Sequence, residues 1–238
     1  MAFVNAQKSR ILVGQVSFSG YTRSAEFGTQ SAMHDTTTLA DTARKFIVGP
    51  DESTFSLEMV FDTDTTANGQ WDRLKAWKAA GNLPVSFFPS GMAALSEAWL
   101  LNVLEADFTT RTAQASTVDA SVQGWIDGAA DAGYSLSDLD AITGDTNGTA
   151  RDLTASSSNG GVGHLHVTAF SGFTSDAITI QDSADGSTDW QTILTFTTAT
   201  GVTSERVAIT GTVRRYLRVV DDVTGTGSIT RQVSFARR

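Results

Sequence analysis

The chain has no cysteine, only three prolines and few basic residues for its 238 positions. Without cysteine there are no disulfides, no thiolate metal sites and no cysteine nucleophile. The few prolines, beside abundant Gly, Thr, Ser and Asp, suit many strands joined by tight turns. A formal net charge of −9 argues against a protein that coats nucleic acid or lies on a membrane surface. No apolar run approaches the ~18 residues that would suggest a spanning helix. The start, MAFVNAQKSRILVG, places its bases after the first apolar residues, the wrong order for a secretory signal. Neither a nucleophile elbow G-x-S-x-G nor a Gly-rich phosphate loop of common spacing occurs.

What is present begins with three aromatic-ended segments, STFSLEMVFD (53–62), EAWLLNVLEADF (97–108) and VDASVQGWID (118–127). Each alternates with period two, the mark of a half-buried antiparallel strand. In the first, Phe55, Leu57, Met59 and Phe61 oppose Glu58 and Asp62. In the second, Leu100, Leu104, Ala106 and Phe108 oppose Glu97, Glu105 and Asp107. In the third, Val118, Ala120, Val122 and Ile126 oppose Asp119 and Asp127. The expectation is a wet sheet face with acids and no base, Arg111 and the other bases lying outside these strands. Such a face repels phosphate.

Between the strands, residues 66–80 read as the one helix, N-capped by Thr66 and ended by Gly81, with Ala67, Trp71, Leu74 and Trp77 as its packing stripe. The stretch TQSAMHDTTTLADTARK (29–45) is polar and has too little apolar periodicity for a core strand or helix, so it reads as a long loop. Beyond residue 127 the composition shifts toward Gly, Ala, Ser, Thr and Asp. This divides the chain into 1–127, a linker at 128–147, and a β-rich segment at 148–238. Six short strands with turn signals make that segment a β-sandwich.

Few motifs carry chemistry. DSADGSTDW (182–190) sets out Asp182, Asp185 and Asp189 as hard oxygen ligands, but lacks calcium-loop spacing. Its Asp-Gly pair between alternating segments is a hairpin signal. His164 and His166 fall on one face of a strand and could hold a metal, with no third ligand evident and a structural role expected. His34 beside Asp35 invites a catalytic-dyad reading, but no nucleophile elbow accompanies it. No cofactor is implied, and an enzyme is not the expectation.

The order of segments resembles the major tail, or tail tube, protein of long-tailed bacteriophages with non-contractile tails. The matching stretches are GQVSFSGYTRSAEF, HDTTTLADTARKFIVGPDESTFSLEMVFD, QWDRLKAWKAAG, PVSFFPSG and EADF…VDASVQGWIDG. GHLHVTAFSG, ITIQDSADGSTDWQTILTF and ERVAITGTVRRYLRV resemble the accessory β-sandwich fused to such proteins. The resemblance implies a mainly β fold: a tube domain built as a sandwich or barrel with one flanking helix, then a smaller sandwich. It also implies hexameric rings stacked into the tube through which double-stranded DNA is ejected without tight binding. Expected partners are further copies of the chain, a tape measure protein and tail-end proteins. The chain would be made in the host cytoplasm and carried in the virion, without membrane insertion. Glu58, Glu105, Asp107 and Asp119 are then candidates to line the lumen. His34, Asp35, Thr36, Thr37, Arg44 and Lys45 are candidates for an inter-ring loop. The rival reading is a carbohydrate-binding module; weak glycan contact by the C-terminal segment is compatible with both.

Overall fold

Strand pairing organises nearly the whole chain. A computed structural model describes residues 8–60, 70–112 and 118–238. In chain order the elements are β1 (Arg10–Val13), β2 (Val16–Ser17), β3 (Thr22–Asp35), β4 (Phe46–Val60), α1 (Gln70–Ala80), β5 (Asn82–Phe88), β6 (Glu97–Thr112), β7 (Val118–Ile126), β8 (Asp131–Ser135), β9 (Asp140–Ile142), β10 (Thr146–Asn147), β11 (Arg151–Asp152), β12 (Gly161–Ser183), β13 (Gln191–Thr195), β14 (Thr203–Ile209) and β15 (Tyr216–Arg237). The fold is mainly β with one helix, as expected. Phe61, Asp62, Thr66 and Ala67 lie outside the described residues.

The described residues form two compact units. One comprises Met1–Gly20, Leu83–Asn102 and Ala130–Arg238, the other Tyr21–Asn82 and Val103–Ala129. The expected division at 127 and 148 is therefore corrected. Segment 128–147 is no linker: it carries β8, β9 and β10, each paired to β15. Its composition misleads because β8 turns Asp131, Gly133 and Ser135 inward instead of apolar residues. Asp131 is neutralised there by Arg206 and Arg238, at 3.0 and 2.9 Å.

In the first unit β12 and β15 pair antiparallel from Gly161↔Arg237 to Ser183↔Tyr216. One face of this pair carries Leu165, Val167, Ile178, Ile180, Ile229, Val233 and Phe235 into the main core. Gly163 also faces that core; a Cβ there would meet the Leu194 side chain at 2.7 Å and would need it to shift. The opposite face carries His164, His166, Gln232 and Ser234, all buried.

The main core also encloses charge. Arg231 donates to buried Asp221, which accepts from Thr146 at 2.6 Å as well. Asp176 is buried nearby. Burial first, and the Asp221 carboxylate second, push its pKa up to about 6, against the pull of Arg231. The folded unit thus keeps this proton while the unfolded chain has already released it near 3.8. Stability falls as pH rises between those values and stays reduced above them. Asp176→Asn keeps the shape without the charge. It should raise unfolding free energy at pH 7 by about 2–3 kcal/mol, and by much less at pH 4, in denaturant titrations.

In the second unit β3 pairs with β4, β4 with β7, and β7 with the distal part of β6. Phe55, Leu57 and Met59 face inward, joined by Ala120, Val122 and Ile126. Helix α1 covers them with Leu74 and Trp77, both buried. The Trp77 ring lies 6.3 Å from that of Phe55, and its Nε1–H donates to the Val103 carbonyl at 3.3 Å. Gly81, at φ +78°, ends the helix in the left-handed conformation anticipated for it.

Candidate assembly surfaces

Of residues 29–45, only 36–45 are loop; 29–35 are the end of β3. β3 and β4 run as an antiparallel ribbon from Thr22↔Met59 to Asp35↔Phe46, so the stretch is mostly the far end of a hairpin. Most of this end is exposed on both faces, which erases the alternation that marks a half-buried strand. Its backbone pairing holds it extended instead.

The turn is organised by its own carboxylates. Asp35 Oδ1 accepts from the Thr37 amide and hydroxyl at 2.8 and 2.5 Å. Asp41 accepts from the Thr38 amide and hydroxyl at 2.8 and 2.9 Å and pairs with Lys45. Thr36 donates its amide to the Lys45 carbonyl at 2.9 Å, and Thr37 Oγ1 receives the Lys45 amide at 3.0 Å. The Thr37 hydrogen bonds hold the Asp35 carboxyl below its usual range, and Lys45 with Thr38 does the same for Asp41. His34 sits opposite Ile47 at the base of the turn, and Arg44 is exposed.

The sequence reading missed the apolar residues of this end. Met33, Leu39, Phe46, Ile47 and Val48 are all exposed, Leu39 completely. The register sets Met33 opposite Val48 and Asp35 opposite Phe46. The run Phe46-Ile47-Val48 was the available signal, since three successive apolar residues on a ribbon wet on both sides cannot all be buried by their own chain.

The outer face of the second unit's sheet is the other candidate surface. Cross-strand partners share a face, so its rows can be read from register. Glu26, Ser56, Gln123 and Asp107 form one row; Ser24, Glu58, Ser121 and Thr109 form the next. Val60, Asp119 and Arg111 form a third. Ser24 donates to Glu58 at 3.2 Å, and Arg23 pairs with Asp119 at 2.9 Å. Glu58 and Asp107 are exposed and Asp119 half-exposed, on the predicted side. The face is not free of bases, however. Arg111 lies within β6, which runs to Thr112, and Arg23 comes from the adjoining strand. At the other end of the face the exposed pair Leu104 and Trp125 stand opposite each other.

Glu105 is a correction. It is 7 % exposed and faces inward with Leu101 and Val103, while Leu104 faces out. Ala98 and Leu100 are buried up to residue 100, and Leu101 and Val103 beyond it, so the buried phase of β6 changes between Leu100 and Leu101. A register shift between Glu105 and Asp107 then returns Asp107 to the outer face. The run Trp99-Leu100-Leu101-Asn102-Val103-Leu104 offers apolar residues in both phases, so its alternation does not decide which face is buried. Burial raises the pKa of Glu105, Lys78 of α1 opposes this, and Asp107 reinforces it. Glu105→Gln should therefore stabilise the protein at pH 7 by on the order of 1–2 kcal/mol. Glu105→Lys, a second cation facing Lys78, should lower the yield of folded protein. Thermal melts of both variants check this.

The remaining motifs are occupied by structure. Asp185 accepts from the amides of Ser187 and Thr188 at 2.9 and 2.8 Å and from the Thr188 hydroxyl at 2.6 Å, which holds its carboxyl far below the ordinary range. Asp182 and Asp189 converge on Arg214, each at 2.7 Å. These aspartates build a turn with its own counter-ion.

His164 and His166 are both fully buried, bridged by the Ser86 hydroxyl of β5 at 3.1 and 2.8 Å. The Gly14 carbonyl lies 2.5 Å from His166 Nδ1 and can only accept, so Nδ1 carries the proton and Nε2 accepts from Ser86. Ser86 Oγ in turn accepts from His164 Nδ1–H, leaving the His164 Nε2 lone pair without a donor. Both rings are neutral. Burial lowers His166 to about 4, and burial, His166 and Arg206 hold His164 well below its ordinary value. Among the described residues, no group of three His, Cys, Asp or Glu side chains is placed to hold a metal, and no helix is long and apolar enough to cross a membrane.

No protein-family profile matches the chain, and no curated protein matches it by sequence. Solved structures do resemble it. A chain from the virion of a native gene transfer agent particle aligns over 55 % of this chain and 97 % of its own, at 11 % identity and TM-score 0.40. The SPP1 Dit protein, described as a paradigm of the hub adsorption apparatus in phages infecting Gram-positive bacteria, aligns over 96 % and 98 %, at 8 % identity and TM-score 0.40. A chain from the activated phage p2 baseplate aligns over 97 % and 98 %, at 9 % identity and TM-score 0.34. Values this low carry no function across.

Proposed function

We propose that the chain is a non-enzymatic structural subunit of a phage tail, assembling with copies of itself into stacked rings that form a tube for DNA ejection. The observation that carries this reading is the hairpin end, which exposes Met33, Leu39, Phe46, Ile47 and Val48 together. Apolar side chains grouped on an extended ribbon suit burial against another molecule. The resemblance of the ordered segments to tube proteins favours a further copy of the chain as that molecule. Contact between unlike surfaces of identical subunits propagates along an axis, the geometry a tube requires.

In this reading the hairpin reaches the next ring, with His34, Asp35, Thr36, Thr37, Arg44 and Lys45 around its apolar residues. Glu58, Asp107 and Asp119 line the bore. Arg23 and Arg111 are tempered by neighbouring acids, which limits phosphate binding and its counterion release. Six subunits per ring, a tape measure protein and tail-end proteins follow from the same family resemblance, as does location in the virion. Sedimentation of the full chain over a rising concentration series tests the proposal. Ring-sized species giving way to longer polymers are expected. A monomer at every concentration, even with tail partners present, would contradict it.

A further inference from the structure

A cleft of about 200 Å³ opens in the first unit along the pairing of β6 and β8, lined by Glu97, Ala98, Trp99, Ala132, Gly133 and Tyr134. That is room for about six waters at ~30 Å³ each, and so for an aliphatic side chain. Ala132 and Tyr134 are exposed, while Ala98 and Gly133 are buried. Leu95, tied by its amide to the Ser135 carbonyl at the end of β8, adds a further exposed apolar side chain. No Lys or Arg lines the cleft. The Glu97 side chain is exposed and makes no ion pair or hydrogen bond among the described residues. The hairpin end carries the matching shape and charge. Leu39 is completely exposed, at a turn that Thr38 and Asp41 close. The Asp41 amide donates to the Thr38 carbonyl at 3.0 Å, and the Asp41 carboxylate accepts the Thr38 amide at 2.8 Å. Leu39 is thus presented on an ordered turn, which lowers the ordering cost of binding. Arg44, in the same turn, is exposed and has no ion pair or hydrogen bond of its side chain among the described residues, whereas Lys45 is taken by Asp41.

We propose that the cleft between β6 and β8 is the seat for the hairpin end of the next copy, with Leu39 entering the cleft and Arg44 meeting Glu97. The assignment rests on the stacked-copy reading and adds where the hairpin lands. It buries an apolar side chain that its own chain leaves in water, and it joins the free base of the turn to the free acid of the cleft. A second cleft, beside Glu58 and Asp119, contains Arg23 and Arg111, which would repel Arg44. The exposed pair Leu104 and Trp125 lies on the same sheet face as that second cleft, the face that lines the bore in the tube reading. Hairpin and cleft are unlike surfaces. A copy bound through its hairpin therefore keeps its own cleft free for another, and the contact propagates.

Sedimentation of the full chain over a concentration series, with circular dichroism to check folding, tests it through substitutions in the cleft that leave the hairpin intact. Ala132→Phe fills the cleft from an exposed position and should raise the concentration needed for stacking about tenfold or more. Glu97→Arg sets a like charge against Arg44 and should raise it about fivefold. Combining Glu97→Arg with Arg44→Glu should return it to within about twofold of the intact chain, a rescue that a merely structural role for Glu97 would not give. Should Ala132→Phe fail to fold, the charge swap decides alone. Stacking that is unchanged by both cleft substitutions, or a charge swap that restores nothing, would overturn this seat and leave the tube reading standing. An intact chain that never stacks would overturn both.

Discussion

Acidification from pH 7 to pH 4 will strip about 3 kcal/mol from the first unit through His166 alone, with His164 acting in the same direction. His164 and His166 are held neutral inside the fold: burial lowers His166 to about 4, and burial, His166 and Arg206 hold His164 well below its ordinary value. In the unfolded chain both take up protons near 6.5. A group with a depressed cationic pKa contributes stability that is complete above its unfolded value and is lost as pH falls below it. For His166 the loss by pH 4 is about 3 kcal/mol, and His164 adds to it. Asp176 works in the opposite direction, returning about 2–3 kcal/mol over the same range, so the net effect is destabilising. The layer cannot relax cheaply: a proton on His166 Nε2 would turn it toward Ser86 as a second donor, and a charge on His164 would face Arg206. Denaturant unfolding at half-unit pH steps reads the slope directly. His166→Gln should flatten it by about one proton. A profile of the Asp176→Asn variant that is flat from pH 6.5 to 4 would show that the imidazoles are not held neutral.

Removing the hairpin end will abolish polymerisation while leaving the subunit folded. Deleting residues 31–48 and joining the strands with a short Gly-Asn turn discards five exposed apolar side chains. None of the second unit's buried residues, such as Phe55, Leu57 and Trp77, is touched. Folding free energy should change by less than about 1 kcal/mol, since shortening an exposed ribbon costs little closure entropy. Stacking into longer polymers should fall below detection at concentrations where the intact chain polymerises, leaving single rings. A milder variant, Phe46→Ser with Ile47→Thr, should raise the concentration needed for polymerisation at least tenfold, at about 1.5–3 kcal/mol for each large apolar side chain kept from burial. Charged neighbours such as Arg44 and Lys45 set register more than affinity, because exposed ion pairs contribute only about 0–1 kcal/mol. Normal polymers from the deletion variant would place the contact elsewhere.

The mainly β class, the helix end at Gly81 and the inward sets of β4 and β7 were legible because Phe55, Leu57, Met59 and Ala120, Val122, Ile126 alternate strictly. β6 was not, because its apolar run fits two phases and its register shift restores Asp107 to the wet face while Glu105 stays inside. The hairpin was hidden for a different reason: exposed paired strands follow backbone hydrogen bonds and need no alternation. The unit boundaries were hidden by topology. β1 and β5 belong with β12 and β15, and the Ser86–His164–His166 bridge joins residues about eighty positions apart, which composition along the chain does not encode. Small and polar inward residues on β8 made a paired strand read as linker.

Negative-stain electron microscopy of the concentrated, purified full chain, alone and with its tail partners, tests the central claim most directly. The account predicts hollow cylinders of stacked rings with an open bore, and single unstacked rings when residues 31–48 are deleted. Fields of separate, unassembled particles under every condition would contradict it.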